Sequence, residues 1–395
     1  MTDANHRAQA QRNDGPLSGV KVIDLTTVGM GPYATQIFGD MGAEVIKVEP
    51  PEGDIFRHAL PTRSPRMGAP FMNFNRNKRS VCLDIKQESD RRALLELVKE
   101  SDVFISNIRP QALAKLGLDY EALSRLNPRL IYCSAVGFGQ DGPYAGKPAF
   151  DDIIQAYSGL AAVQGTGNTG GPAYMRTLIA DKVTGLTIAY AIPMALYERE
   201  KSGLGQAVEV PMFETLVSFT LIEHLSGESY LPAIAGMGYE RILARNRKPY
   251  RTQDGYISIL PYTDAHWARF FRMADRADLI GNPTFATTTA RNRNYDALYG
   301  ELIDIVATKT TDEWVRLLDE QDIPVARVNT LQDVLDDPHL AAVDFFKTME
   351  HPTEGTVRVT DIPVKMSRTP GALRHPAPPL GADNEELLGR AALEK

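Results

Sequence analysis

The chain has 395 residues, 43% of them hydrophobic and 24% charged, with 50 acidic against 43 basic side chains and a net charge of −7. That length exceeds one ordinary core and makes two domains the expectation, while the acidic balance argues against nucleic acid or an anionic membrane as the main partner. Only two cysteines, Cys82 and Cys133, occur, far apart and without a C-x-x-C; they fit a reducing cytoplasm and provide no zinc set. The seven histidines are scattered singly, so no metal is expected.

Residues 1–15 are polar, lack the apolar run of a signal peptide, and read as a disordered tail. A strand then starts at Val20, Gly29 and Gly31 make a turn, Pro32 opens a helix over 33–42, and 44–49 is a second strand. Gly29, Gly31 and Ala34 satisfy the G-x-G-x-x-G/A spacing, with Glu49 twenty residues after Gly29. Read alone, this stretch predicts a dinucleotide site, with the glycines admitting a pyrophosphate to a helix N-terminus. Further strands are predicted at 80–84, 102–105, 130–134 and 206–210, alternating with helices at 88–100, 120–126, 151–161 and 178–199. The alternation implies an α/β fold with a mostly parallel sheet. The apolar run 178–196 contains Asp181, Lys182 and Pro193 and reads as a buried helix rather than a membrane span.

Glycine, proline and arginine accumulate over 226–250, a crossing into a second domain. Beyond it a strand is predicted at 256–260 and helices at 265–274, 295–307 and 312–321, the last capped by Thr311. Strands follow at 324–328 and 356–360, and the proline-rich stretch 369–380 reads as a wrapping segment. The chain thus divides into a large domain, 16–210 with 340–395, and linkers with a small domain over 211–339.

Several residues could carry chemistry. Asp181 reads either as the N-cap of a helix starting at 182 or as a carboxylate kept ionised and nucleophilic by that helix's field. The loop Gly137, Phe138, Gly139, Gln140 follows a strand, where α/β ligands bind, but its composition also suits an ordinary turn. Arg76, Lys78 and Arg79 form a solvated loop or a phosphate clamp, and Arg241, Arg245, Arg247 and Lys248 carry the same two readings. Asp151 and Asp152 open a helix, with capping as the simple explanation. Neither G-x-S-x-G nor a phosphate-loop lysine motif occurs.

Taken in register, the segments resemble the class III CoA-transferases, the CaiB/BaiF family that includes formyl-CoA and carnitine CoA-transferases. The resemblance rests on L-S-G-V-K-V-I-D-L at 17–25, G-P at 31–32, G-A-E-V-I-K-V-E at 42–49 and N-R-N-K-R-S-V-x-L-D at 75–84. It continues through D-V-x-I-x-N at 102–107, L-N-P-R-L-I-Y at 126–132, G-F-G-Q-D-G-P-Y at 137–144 and A-L-Y-E-R-E-K-S-G-L-G-Q at 195–206. I-P-V-A-R-V at 323–328 also fits. It implies a Rossmann-like large domain, a smaller α+β domain and an interlocked homodimer. It implies a CoA-transferase that uses a CoA thioester as substrate and holds no tightly bound cofactor or metal. Asp181 takes the nucleophile's position, and CoA is expected against Val28, Gly29, Met30, Leu83, Asn107, Ile108 and Lys115, with Lys78 and Arg79 added. Gly137, Gly139 and Gln140 are expected to serve a developing oxyanion. Two departures shape the expectation. The formyl-CoA members carry a glycine-rich loop in the small domain where this chain has only Gly236 and Gly238, which argues against formyl-CoA and oxalate as substrates. Related acyl-CoA racemases carry a histidine base where this chain has Phe150, which leaves racemase as the alternative, beside a non-catalytic acyl-CoA-binding protein.

Overall fold

The computed structural model describes residues 15–166 and 170–389. The polar stretch expected to be a tail lies outside the described residues, apart from Gly15. The chain forms two compact units. Among the described residues, one gathers those up to Ser158, Met175–Phe219 and those from His339; the other holds those of 159–174 and Thr220–Pro338. The sixteen-residue excursion at 159–174 has no counterpart in the domain division read from sequence.

The first unit is built on a six-stranded parallel sheet. Its elements run β1 (Lys21–Leu25), α1 (Met30–Asp40), β2 (Glu44–Glu49), β3 (Lys78–Cys82), α2 (Glu88–Lys99) and β4 (Val103–Ser106). They continue with α3 (Pro110–Lys115), α4 (Tyr120–Leu126), β5 (Ile131–Val136), α5 (Asp151–Tyr157), α6 (Ile179–Ser202) and β6 (Ala207–Pro211). The strand order is β3-β2-β1-β4-β5-β6. β1 therefore pairs on one side with β2 and on the other with β4, and the winding reverses between β1 and β4. In such sheets ligands bind at the carboxyl ends of the two strands flanking the reversal.

The strands form because most of their residues are apolar on both faces: Val22, Ile23, Val45, Ile46, Val103, Phe104 and Ile105 are all buried, as a sheet covered by helices requires. The exposed side of edge strand β3 is closed by the C-terminal segment. Asp383 accepts the Ser80 amide at 2.8 Å and Asn384 accepts that of Cys82 at 2.8 Å, while Asn77 donates its amide to the His375 carbonyl at 2.8 Å. Side chains and a carbonyl from the chain's end thus satisfy amides that would otherwise template aggregation. A hairpin of Phe346–His351 with Gly355–Thr360 completes this unit; only its second strand was legible in sequence.

α6 is long and apolar enough to cross a membrane by length and composition, but 44% of its apolar window is buried inside the protein. Gly185 sits where α6 meets α1: a Cβ there would stand 2.8 Å from the Met30 carbonyl oxygen.

The second unit carries a small antiparallel sheet of β7 (Tyr250–Arg251), β8 (Tyr256–Ile259) and β9 (Val325–Arg327) in that order, covered by α7 (Asp264–Met273), α8 (Tyr295–Val306) and α9 (Thr311–Asp319). Its core gathers Ile257, Phe270, Phe271, Leu302, Trp314 and Leu318, and the Trp314 indole donates to the Val306 carbonyl at 2.8 Å. α9 begins one residue earlier than the sequence suggested. Thr310, not Thr311, is its cap, with Glu313 closing a reciprocal capping box. Thr311 instead turns inward to Asp254, whose carboxylate accepts both its amide and its hydroxyl at 2.8 Å.

Candidate active site

β1 and β4 end side by side, and the loops that leave them are tied together. Asn107, the residue after β4, accepts the Thr27 amide at 3.1 Å and donates its side-chain amide to the Thr27 carbonyl at 2.9 Å. Val28 follows at φ +70°, a left-handed conformation that a β-branched residue rarely adopts. Its amide is held by the Asp54 carboxylate at 3.1 Å, and Lys47 bonds both Asp54, at 2.9 Å, and the Thr26 carbonyl, at 2.8 Å. A buried ion pair thus fixes a strained turn at the point where the sheet reverses, the usual place for such strain.

The glycines of that turn serve close packing within the protein. A Cβ on Gly31 would lie 2.4 Å from the Thr26 side chain, so this position packs the turn on itself. A Cβ on Gly29 would lie 2.7 Å from Oδ2 of Asp181. The dinucleotide spacing offered both glycines to a pyrophosphate. Gly31 faces the interior instead, and what Gly29 admits is the Asp181 carboxylate.

Asp181 is the third residue of α6, inside its first turn, and does not cap that helix: the cap position is Leu178, without a side-chain bond. Its side chain faces the Met30 amide at the first residue of α1, which favours the ionised form, so it stands near the positive ends of two helices. Its own amide donates to Oδ1 of Asp151 at 3.0 Å. Gln155 donates to Oδ2 of Asp151 at 2.7 Å and accepts the Met175 amide at 2.8 Å. Asp151 and Gln155 therefore lock the segment entering α6 onto α5. Burial raises the Asp181 carboxyl first, the Asp151 charge adds to it, and the Met30 amide opposes both; the result is pushed up to about 7. The helix field was expected to hold Asp181 in the ordinary acidic range. Desolvation overrides it, since only 7% of the residue is exposed.

Beyond Asn107, at the carboxyl ends of β4 and β5, opens a cavity of about 310 Å³ whose walls include Asn107, Arg109, Gly137, Gln140, Lys147 and Phe150. Its lining carries two cations and no carboxylate. Phe150 is 62% exposed and immediately precedes Asp151, with no titratable group in its place. At Gly139 and Gln140 the neighbouring loop does not present oxyanion donors as expected. The Gly139 amide donates to Glu214 at 3.0 Å and that of Gln140 to Glu209 at 3.0 Å, so both point at negative charge. The Gln140 side chain is likewise engaged, with the Phe138 carbonyl and with Gln111.

The remaining predicted residues separate cleanly. Val28, Gly29, Met30 and Asn107 come together around the turn. Ile108 donates its amide to the Ser106 hydroxyl at 3.1 Å, and Lys115 ends α3 exposed to solvent. Leu83 belongs to the sheet's core. Lys78 is wholly buried: its ammonium meets Asp24 at 3.0 Å, the Pro32 carbonyl at 3.0 Å and Asn75 at 2.8 Å. It is neither a solvated charge nor a phosphate clamp. Arg79 is bound by Asp383, Glu44 and Glu386. Glu49, which the dinucleotide spacing offered to a ribose, forms a two-point pair with Arg57 at 2.6 and 2.7 Å. Sequence reasoning missed Arg109, Lys147 and Gln155. The signal for the first two was their position in loops that follow strands; for Gln155 it was the i, i+4 spacing from Asp151.

Comparison with known proteins gives the class. CoA-transferase family III matches residues 17–384. A probable fatty acyl-CoA transferase of Mycobacterium tuberculosis is 32% identical over 95% of this chain and 98% of its own length. The human succinyl-CoA:glutarate CoA-transferase is 31% identical, covering 97% of this chain and 87% of that protein. Among solved structures, a CaiB/BaiF family protein from Brucella suis superposes with a TM-score of 0.82 at 31% identity, over 96% of this chain and all of that one. The chain belongs to CoA-transferase family III, the CaiB/BaiF family, and the class of enzyme is a CoA-transferase.

Proposed function

We propose that this chain moves CoA from an acyl-CoA to a free carboxylic acid, with Asp181 as the covalent carrier. The observation that carries this reading is the Asp181 carboxylate itself, set against Gly29 at the reversal of the sheet with a carboxyl at about 7. Part of it is ionised at neutral pH, and the burial that raises the carboxyl also strips it of the water that would blunt a nucleophile.

Ionised Asp181 attacks the thioester carbonyl, forming an acyl–aspartyl anhydride and expelling CoA thiolate. The thiolate attacks the aspartyl carbonyl, releasing the first acid as its carboxylate and leaving an aspartyl-CoA thioester. An incoming carboxylate attacks that thioester and expels thiolate, making a second anhydride. Thiolate then attacks its acyl carbonyl, giving the new acyl-CoA and restoring the Asp181 carboxylate. Each step exchanges one acyl bond for another of similar energy, so the enzyme's work is positioning and water exclusion. The Met30 amide, which faces the carboxylate, is the donor nearest to charge on the aspartyl oxygen.

CoA lies over the turn at Val28, Gly29 and Met30 and runs along Asn107, Ile108 and Lys115. Arg109 and Lys147 give the cavity beside Asn107 the charge to receive an anionic group. Phe150 supplies no base for proton removal from an α-carbon, which disfavours the racemase reading. A homodimer in the cytoplasm is part of the proposal. Leu186, Tyr190, Met194 and Tyr197 form an exposed apolar stripe along one face of α6, the kind of surface a second copy covers.

The test is a panel of acyl-CoA donors against free carboxylates, read as new acyl-CoA. Asp181→Ala is expected to lower exchange about a thousandfold or more while leaving CoA bound.

A further inference from the structure

The second unit holds a cavity that the proposed reaction does not use. It measures about 530 Å³, and Tyr239, Arg241, Leu260, Trp267, Tyr295 and Tyr299 are among its walls. Arg241 is the telling residue. Its Nε donates to the Tyr299 hydroxyl at 3.1 Å, and Tyr239 shares the same wall. The Tyr239 amide is pinned by Nδ1 of His224 at 3.2 Å. Tyr295 and Tyr299 stack with ring centroids 5.7 Å apart. The guanidinium is thus oriented by the Tyr299 phenol, and among the described residues no carboxylate pairs with it. Arg291, the other cation on the wall, is different: Asp264 and the Phe285 carbonyl occupy it.

On its far side Arg241 borders a second cavity of about 220 Å³, shared with Arg247 and Lys248 and lined by no acidic residue. A fixed guanidinium without a counter-ion, at the wall of a concave aromatic pocket, is built to receive a planar oxyanion through two parallel N–H bonds. The indole, Leu260 and stacked phenols offer that ligand an apolar bed rather than a hydration shell.

We propose that this cavity binds an organic monocarboxylate, its carboxylate on Arg241 and its apolar body against Trp267, Leu260 and the Tyr295–Tyr299 pair. The site lies within the second unit, contains no residue of the Asp181 site, and stands whether or not the proposed reaction does.

Trp267 makes the test direct. The full-length protein is titrated with phenylacetate and with hexanoate, and with inorganic phosphate in parallel, following tryptophan fluorescence and heat. Saturable binding of the two acids is expected, with Arg241→Gln weakening it about 10- to 100-fold. Tyr299→Phe, which removes the phenol that orients the guanidinium, should weaken it a few-fold. It carries the test alone if circular dichroism shows Arg241→Gln misfolded. Asp181→Ala should bind the acids as the unaltered protein does. The proposal is overturned if neither acid binds, if phosphate binds as tightly as the acids, or if Tyr299→Phe and a folded Arg241→Gln bind unchanged. Loss of binding in Asp181→Ala would place the acid at the other site and overturn it equally.

Discussion

At the scale of single residues, two contacts decide what Asp181 can do. Asp151 sits one hydrogen bond from its backbone and adds negative charge to a carboxyl that burial has already raised. An acid whose carboxyl stands near 7 is ionised only above that point, so exchange should rise with pH through about 7 and level off beyond it. Asp151→Asn removes the smaller of the two raising causes. The rising limb is expected to move to lower pH without reaching the ordinary carboxylate range, because desolvation remains; a limb that does not move would deny Asp151 this role. Gly29 is the second contact. The added methyl of Gly29→Ala would stand 2.7 Å from Oδ2 of Asp181, and the carboxylate must move. A displacement of that order should cost about a hundredfold in kcat, with the melting temperature little changed, as parallel rate and melting measurements would show. Asp181 itself stood out in sequence as an acid in an apolar run. Its depth, its partner at Asp151 and its contact with Gly29 were not legible, since each joins residues at least 30 positions apart.

At the scale of elements, the turn after β1 depends on charges buried beneath it. Asp24 bonds Lys78, the Thr26 amide and the Thr35 hydroxyl. Burial alone would raise its carboxyl, but Lys78 and Lys47 hold it well below the usual carboxylate range. Lys78→Met leaves that carboxylate short of its partner, and urea unfolding should show a loss of about 3–5 kcal/mol. A variant of full stability that had merely lost CoA affinity would return Lys78 to the ligand site. The strands of the parallel sheet and the long helices were readable to within a few residues because the period of burial is written in the apolar residues themselves, while strand Phe346–His351 and the short helix Pro110–Lys115 were not. Charges resisted such reading. Whether the run 75–79 meets water, phosphate or Asp24 depends on which acids the sheet brings beneath it, and no local pattern carries that. The same limit separates Thr310 from Thr311, two adjacent residues equally able to cap.

At the scale of the whole molecule, the parallel sheet and its strand reversal explain why a nucleotide-like fingerprint sits on a chain of this family. The spacing 29–34 follows from a tight βα turn beside the reversal, and here that turn admits a carboxylate from α6. Read alone, the spacing suggested a dinucleotide site, because spacing reports how closely groups approach, not which group approaches. The exposed stripe of α6 is a prediction at this scale. Sedimentation should find a dimer, and Tyr190→Glu with Met194→Glu should yield monomers or unfolded chain; a monomer with the native sequence would remove the second copy from the proposal.

Everything about the reaction rests on Asp181 becoming covalently acylated. The direct measurement is to mix the protein with an acyl-CoA in the presence of hydroxylamine, digest it and locate the modified peptide by mass. A hydroxamate on Asp181, absent without the acyl-CoA, is the predicted result. An unmodified Asp181 in protein that is exchanging CoA at full rate would contradict the account.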